Sequence, residues 1–162
     1  MKNGLVIADS GPIISLASVD KLTLLTFLFD DVKVPTAVWN EVTADESKPF
    51  HQRIYDFFKD KVTPIKGAND LTFVMDYGEA ESVVLYREAQ ANFLLIDDKK
   101  ARTIAESLSI NCIGTLGILL IAKDKKKVAD LRPLFKQLLA NRRFYSLKLL
   151  DEILKQAGEA PL

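Results

Sequence analysis

The stretch Leu5-Val6-Ile7-Ala8-Asp9-Ser10-Gly11-Pro12 decides the fold. Four consecutive apolar residues lie between Gly4 and a turn-forming Asp-Ser-Gly-Pro. A strand with one wet face would alternate, so an unbroken apolar run predicts a strand covered on both faces, as in a parallel sheet. Working outward, the same pattern recurs. Val32-Lys33-Val34 ends at Pro35, which suits the first turn of a helix carrying Val38, Trp39 and Val42. Phe93-Leu94-Leu95-Ile96 is followed by Asp97-Asp98 and then by Ala101, Ile104, Ala105 and Leu108 at helical spacing. Ile110-Asn111-Cys112-Ile113 reads as a further short strand before a helix near Leu116, Leu119 and Leu120. Strands alternating with helices predict an α/β fold with a central parallel sheet between two helical layers.

The remaining segments read as helices. One precedes the second strand and carries Leu22, Leu25 and Leu28, and another is striped by Ile54, Phe57 and Phe58. Gly78 to Ala91 forms a third, and Leu131, Leu134, Phe135 and Leu138 share one face of a fourth. A last helix begins at Ser146 with Leu147, Leu150 and Leu154. The 162 residues are expected to form one domain over 1–162. Its core should run over about 4–145, with the last helix over about 146–158. Lys123-Asp124-Lys125-Lys126-Lys127 reads as a solvated helix end.

Composition narrows the chemistry. Lys and Arg number 22 and Asp and Glu number 22, so bulk charge does not make this chain a polycation, and only local clusters can bind nucleic acid. One cysteine, Cys112, makes no internal disulfide, and with one histidine, His51, it leaves too few soft ligands for a zinc site. No apolar run approaches the length of a membrane span, so the expectation is a cytoplasmic protein without a membrane partner.

Acidic residues collect beyond the strand ends, where open parallel sheets bind ligands. Asp9 follows the first strand, Asp97 and Asp98 follow the third, Glu41 lies two turns into the helix after the second, and Glu79 and Glu81 open the helix leading to Asp97. Carboxylates gathered without basic partners repel one another, and a hard divalent cation is the natural neutraliser, Mg²⁺ or Mn²⁺ given oxygen-only donors. Each acid also has a structural reading. Asp9 can cap a helix with Ser10-Gly11-Pro12, Asp76 and Glu79 have capping-box spacing, and either Asp97 or Asp98 can cap the next helix. The helical wheel does not choose between Glu79 and Glu81.

Taken in order, Val6-Ile7-Ala8-Asp9-Ser10-Gly11-Pro12-Ile13-Ile14, Val34-Pro35-Thr36-Ala37-Val38-Trp39-Asn40-Glu41-Val42, Gly78-Glu79-Ala80-Glu81 and Leu94-Leu95-Ile96-Asp97-Asp98 resemble the PIN-domain ribonucleases. The later Ile113-Gly114-Thr115-Leu116-Gly117-Ile118-Leu119 looks like the VapC-type branch of prokaryotic toxin–antitoxin systems. The resemblance implies a three-layer α/β/α PIN-like fold and an endoribonuclease whose acidic quartet binds Mg²⁺ or Mn²⁺. It implies Asp9 as first acid, Glu41 as second, Glu79 or Glu81 as third and Asp97 or Asp98 as fourth, with Asp9, Glu79 and Asp98 as metal ligands. Where the commoner toxins have Asp third and Thr-x-Asp fourth, this chain has Glu79, and Ile96 stands at the hydroxyl position if Asp98 is matched. Thr115 is either the missing hydroxyl or the N-cap of the next helix, and Ser10 is a second supporting hydroxyl.

Lys99, Lys100 and Arg102 adjoin the acids and are expected to guide RNA, with Arg142 and Arg143 before the last helix as further candidates. The implied partners are an RNA substrate and a small antitoxin. The antitoxin, or a second copy of the chain in a homodimer, would dock on a groove of Ile14, Leu22, Leu25 and Trp39. The alternative is a PIN-like module that binds RNA or protein without cutting. A receiver-like phosphorylation module fits less well because Asp9 has no adjacent acid, and Walker-type and dinucleotide glycine signatures are absent.

Overall fold

A computed structural model describes residues 2–162. Strands β1 (Leu5–Ala8), β2 (Asp31–Pro35), β3 (Val62–Thr63), β4 (Phe93–Leu95) and β5 (Cys112–Ile113) form a parallel sheet in the order β3-β2-β1-β4-β5. The unbroken apolar run of β1 has the expected cause. Val6, Ile7 and Ala8 are wholly buried, with Val6 and Ala8 on one face and Ile7 on the other. Leu95 joins the first face, while Leu94 and Ile96 join the second. Side chains that alternate across a pleated sheet meet a helical layer on both sides, so every position must be apolar.

The first layer holds α1 (Ser10–Ser18), α2 (Leu24–Leu28), α3 (Thr36–Thr43) and α4 (His51–Phe58), joined by α7 (Thr115–Asp124), α8 (Arg132–Ala140) and α9 (Leu147–Gln156). The second layer is α5 (Tyr77–Glu88) and α6 (Lys99–Ser107), whose Ala80, Val83, Leu85, Ala101 and Ala105 pack on Ile7, Leu94 and Ile96. The result is a three-layer α/β/α fold. Among the described residues no helix is long and apolar enough to cross a membrane.

Three expectations need correction. The two-residue edge strand β3, parallel to β2, is too short to carry a periodic signal and stops before Pro64, so the sequence reading passes over it. Thr115 is the first residue inside α7, and Gly114 is its N-cap. The expected docking groove is not there: Leu22 and Leu25 are buried in the core, and Ile14 and Trp39 are half-buried against it. Trp39 is covered partly by Tyr55, with ring centroids 5.3 Å apart.

Chain direction sets where chemistry can occur. From the central β1 the chain builds outward to β2 and β3 on one side, then crosses to β4 and β5 on the other. The crevice at this reversal opens beyond the carboxyl ends of β1 and β4, where Asp9 and the pair Asp97-Asp98 stand.

Candidate active site

Asp9 leaves β1 and becomes the N-cap residue of α1, with its N–H donating to Leu95 O at 2.9 Å. Its carboxylate makes no capping hydrogen bond, although Asp at this position is well suited to one. The side chain is instead buried, at 4% exposure, and its one side-chain partner is the Ser82 hydroxyl at 3.5 Å, a contact at the limit of a hydrogen bond. Burial pushes its pKa from 3.8 up to about 7; the Ser10 N–H opposes this, and the charges of Glu79 and Glu41 add to it. Glu79 and Glu41 thus lie close enough for their charges to act on Asp9.

Glu41 projects from α3 beside the start of α5. A Cβ on Gly78 would lie 3.1 Å from its Oε2, so only glycine at this position leaves the Glu41 carboxylate where it is. Glu79 is half-buried in the first turn of α5 and accepts from Asp76 N–H at 3.3 Å, one half of the expected capping box. Burial raises its pKa, and the charges of Asp98, Asp76 and Glu41 raise it further. Asp98 caps α6 by accepting from Ala101 N–H at 2.8 Å, and with Glu79, Asp76 and Lys100 it lines an open polar cavity of about 340 Å³.

The other two acids are occupied elsewhere. Glu81 is buried at 5% exposure and accepts from Ala37 N–H at 3.0 Å, which satisfies a free amide in the first turn of α3. Asp97 accepts three hydrogen bonds, from Thr115 N–H at 2.8 Å, from the Thr115 hydroxyl at 2.7 Å and from the Tyr145 hydroxyl at 2.8 Å. Gly114 makes this possible, since a Cβ there would meet Asp97 Oδ1 at 3.0 Å. Asp9, Glu41, Glu79 and Asp98 are thus linked by proximity, while Glu81 and Asp97 tie elements together.

Sequence reasoning missed the relay behind Asp97. Arg143 Nε donates to Ser15 Oγ at 3.0 Å, Ser15 Oγ lies 2.9 Å from the Tyr145 hydroxyl, and Tyr145 donates to Asp97. Arg143 also donates from Nη2 to Gly11 O at 3.1 Å, which pins the first turn of α1. These partners are about 130 positions apart in the chain, as the Ser15–Tyr145 separation shows, and no local pattern marks them. Arg143, read from sequence as a guide for RNA, is turned inward.

A family model described as a PIN domain matches residues 5–159. The chain belongs to the PIN-domain family. No curated protein and no solved structure matches it. PIN domains have a nuclease-type fold, and in this PIN domain the acids lie beyond the carboxyl ends of the central strands.

The donor chemistry of this PIN domain suits a hard divalent ion. Asp9, Glu41, Glu79 and Asp98 offer only oxygen, and among the described residues none of them forms a salt bridge. Among the described residues, however, no three acids, histidines or cysteines converge closely enough to hold an ion together. Mg²⁺ tolerates this, because it commonly takes one or two carboxylates and keeps several waters. The expected basic residues differ in placement. Lys100 lines the Glu79–Asp98 cavity, Lys99 is exposed beside it, and Arg102 is held by Glu106 at 2.9 Å on the Asp97 side. Ser10 lies half-buried at the start of α1.

Proposed function

We infer that this PIN domain is a metal-dependent endoribonuclease of the cytoplasm, the toxin of a VapC-like toxin–antitoxin pair restrained by a small protein. The observation that supports this reading best is the Asp9 carboxylate. It is buried at the end of the central strand, free of any cap or cation, and within reach of the charges of Glu41 and Glu79. A fold retains an uncompensated buried carboxylate at a cost, so its place at the switch point of the sheet argues for a ligand that neutralises it. One or two of Asp9, Glu79 and Asp98 would hold Mg²⁺ or Mn²⁺ directly, with the remaining acid and Glu41 acting through bound water. The ion would supply positive charge to the scissile phosphate and acidify a bound water.

The protein's own part is to position and to exclude. The Ser82 hydroxyl donates to Gly78 O at 2.8 Å and lies 3.5 Å from Asp9 Oδ1 as a second, weak donor, which sets α5 beside the end of β1. Lys100 and Lys99 beside Asp98 attract the phosphodiester backbone toward a cavity whose carboxylates alone would repel it. Asp97 keeps the β5–α7 turn closed through Thr115, so the floor beyond β4 is rigid before substrate arrives.

The failure of three acids to converge favours a second reading, a PIN-like module that binds RNA without cutting it. One experiment separates the two. Purified wild type and Asp9→Asn are incubated with a single-stranded RNA in Mn²⁺ and in EDTA. Cleavage that needs Mn²⁺ and is lost in the identically purified mutant supports the nuclease. RNA binding without cleavage in either condition supports the silent module. Growth arrest on expression, relieved by a co-expressed and co-purifying small protein, tests the toxin role.

A further inference from the structure

A second cavity adjoins the acidic site on its other side. It measures about 580 Å³, within the size range of small-molecule sites, and lies between α3, α4 and the turn that follows α8. Its walls are apolar, formed by Ile14, Val42, Phe50 and Ile54. Glu41 lines it too, so the cavity and the site share a residue.

We propose that this cavity receives one unpaired nucleobase of an RNA strand whose backbone crosses the Asp9–Glu41–Glu79 site, which makes it a base subsite next to the point of cleavage. The inference rests on the RNA-cleaving reading above. Charge at the rim supports this occupant. Lys48 and Arg142 are exposed there, and among the described residues neither side chain forms a salt bridge or hydrogen bond. The Asp45 carboxylate at the same rim is folded back onto Ser47, whose N–H it accepts at 3.0 Å. A flat ring whose faces stack on apolar side chains, carrying an anionic phosphate, matches apolar walls below two unpaired cations.

The position also gives the strand a path. Arg143 fixes the turn after α8 to Gly11 O, so the cationic rim is held at a set distance from the first turn of α1 and from Asp9. A base in the cavity must leave its stack, which costs little in a loop or single strand and much in a duplex. The subsite therefore selects single-stranded RNA.

The test measures binding and cleavage separately. Fluorescence anisotropy in EDTA follows a labelled single-stranded oligoribonucleotide and its duplex on wild type, Ala140→Phe, the double variant Lys48→Glu/Arg142→Glu, and the control Lys136→Glu. Ala140 is an exposed residue of the cavity wall, so phenylalanine fills the mouth without entering the core, and thermal melting confirms folding. Both cavity variants should bind the single strand at least about tenfold more weakly, the order of one lost base stack, while Lys136→Glu binds as wild type. Wild type should prefer the single strand to the duplex by a similar factor. Single-strand affinity unchanged in both cavity variants overturns the subsite and leaves the nuclease reading intact if Mn²⁺-dependent cleavage persists. Unchanged RNA binding with loss of a co-purifying small protein overturns it in favour of peptide docking. No RNA binding by wild type, either in EDTA or with Ca²⁺ in place of Mn²⁺ to neutralise the acids, overturns the subsite and the RNA reading together.

Discussion

Tyr145 donates its phenolic hydrogen to the Asp97 carboxylate at 2.8 Å, joining the segment before the last helix to the crevice beyond β4. Burial, with the Asp97 charge next to it, pushes the phenol up to about 12, so it stays a donor throughout the neutral range. Tyr145→Phe leaves Asp97 with only Thr115 and leaves the Ser15 hydroxyl with only Arg143. The expected cost is about 1–3 kcal/mol, the range for a hydrogen bond to a charged group. It should appear as a lower urea midpoint at unchanged slope, and an unaltered midpoint would show that the relay does not hold the C-terminal segment.

Asp9 contributes a pH-dependent loss of stability to the metal-free protein. Its folded pKa of about 7 lies above the unfolded 3.8, so the native state binds the proton more tightly. The stability from this group is fully present below pH 3.8 and is lost as pH rises to about 7. The loss is on the order of 4 kcal/mol, since each pKa unit corresponds to about 1.4 kcal/mol. Asp9→Asn should remove that slope and make the apo protein more stable than wild type at pH 8, with the two converging near pH 4. Thermal melts in EDTA across this range check it, and a mutant less stable at pH 8 would assign Asp9 a structural role. In Mn²⁺ the same substitution should lower cleavage on the order of a hundredfold or more.

Gly78→Ala separates placement of Glu41 from folding. The new Cβ would stand 3.1 Å from Glu41 Oε2 and in ordinary contact, 3.6 Å, with Val38. An exposed carboxylate moves cheaply, and alanine favours a helix over glycine, so stability should stay within about 1 kcal/mol. Cleavage should fall nonetheless, because the Glu41 carboxylate must shift by a few tenths of an ångström from its place in the site. Equal activity in Gly78→Ala would remove Glu41 from the site.

Glu79 and Glu81 should respond oppositely to the same conservative change. Glu81→Gln keeps an oxygen for Ala37 N–H, so folding and cleavage should survive, whereas Glu81→Ala leaves a buried donor unpaired at a cost of about 1–3 kcal/mol. Glu79→Gln should fold normally and lose Mn²⁺-dependent cleavage. Isothermal titration with Mn²⁺ and urea unfolding on the three variants decide between them. Metal binding lost in Glu81→Gln but kept in Glu79→Gln would reverse the assignment.

Much of the architecture was legible in the sequence because it depends on local pattern. A strand covered on both faces must be apolar at every position, so Leu5–Ala8 and Phe93–Leu95 declare themselves. A helix packed on one side needs a stripe, so Leu134, Phe135 and Leu138 do the same. Strand ends in a parallel sheet are where ligands bind, so Asp9 and the pair Asp97-Asp98 could be singled out before any coordinates. Only the tertiary structure divided the acids into two kinds. Glu79 and Glu81 sit two positions apart on one helix, yet one faces Asp98 and the other an amide of α3, because that choice depends on which neighbour packs against α5. Asp97 and Asp98 are adjacent, yet one is fixed by Thr115 and Tyr145 while the other caps α6 beside Glu79. Sequence periodicity reports which face of an element is buried. It carries no record of which distant group waits there, since hydrogen-bond partners such as Ser15 and Tyr145 are brought together only by the closing of the whole chain.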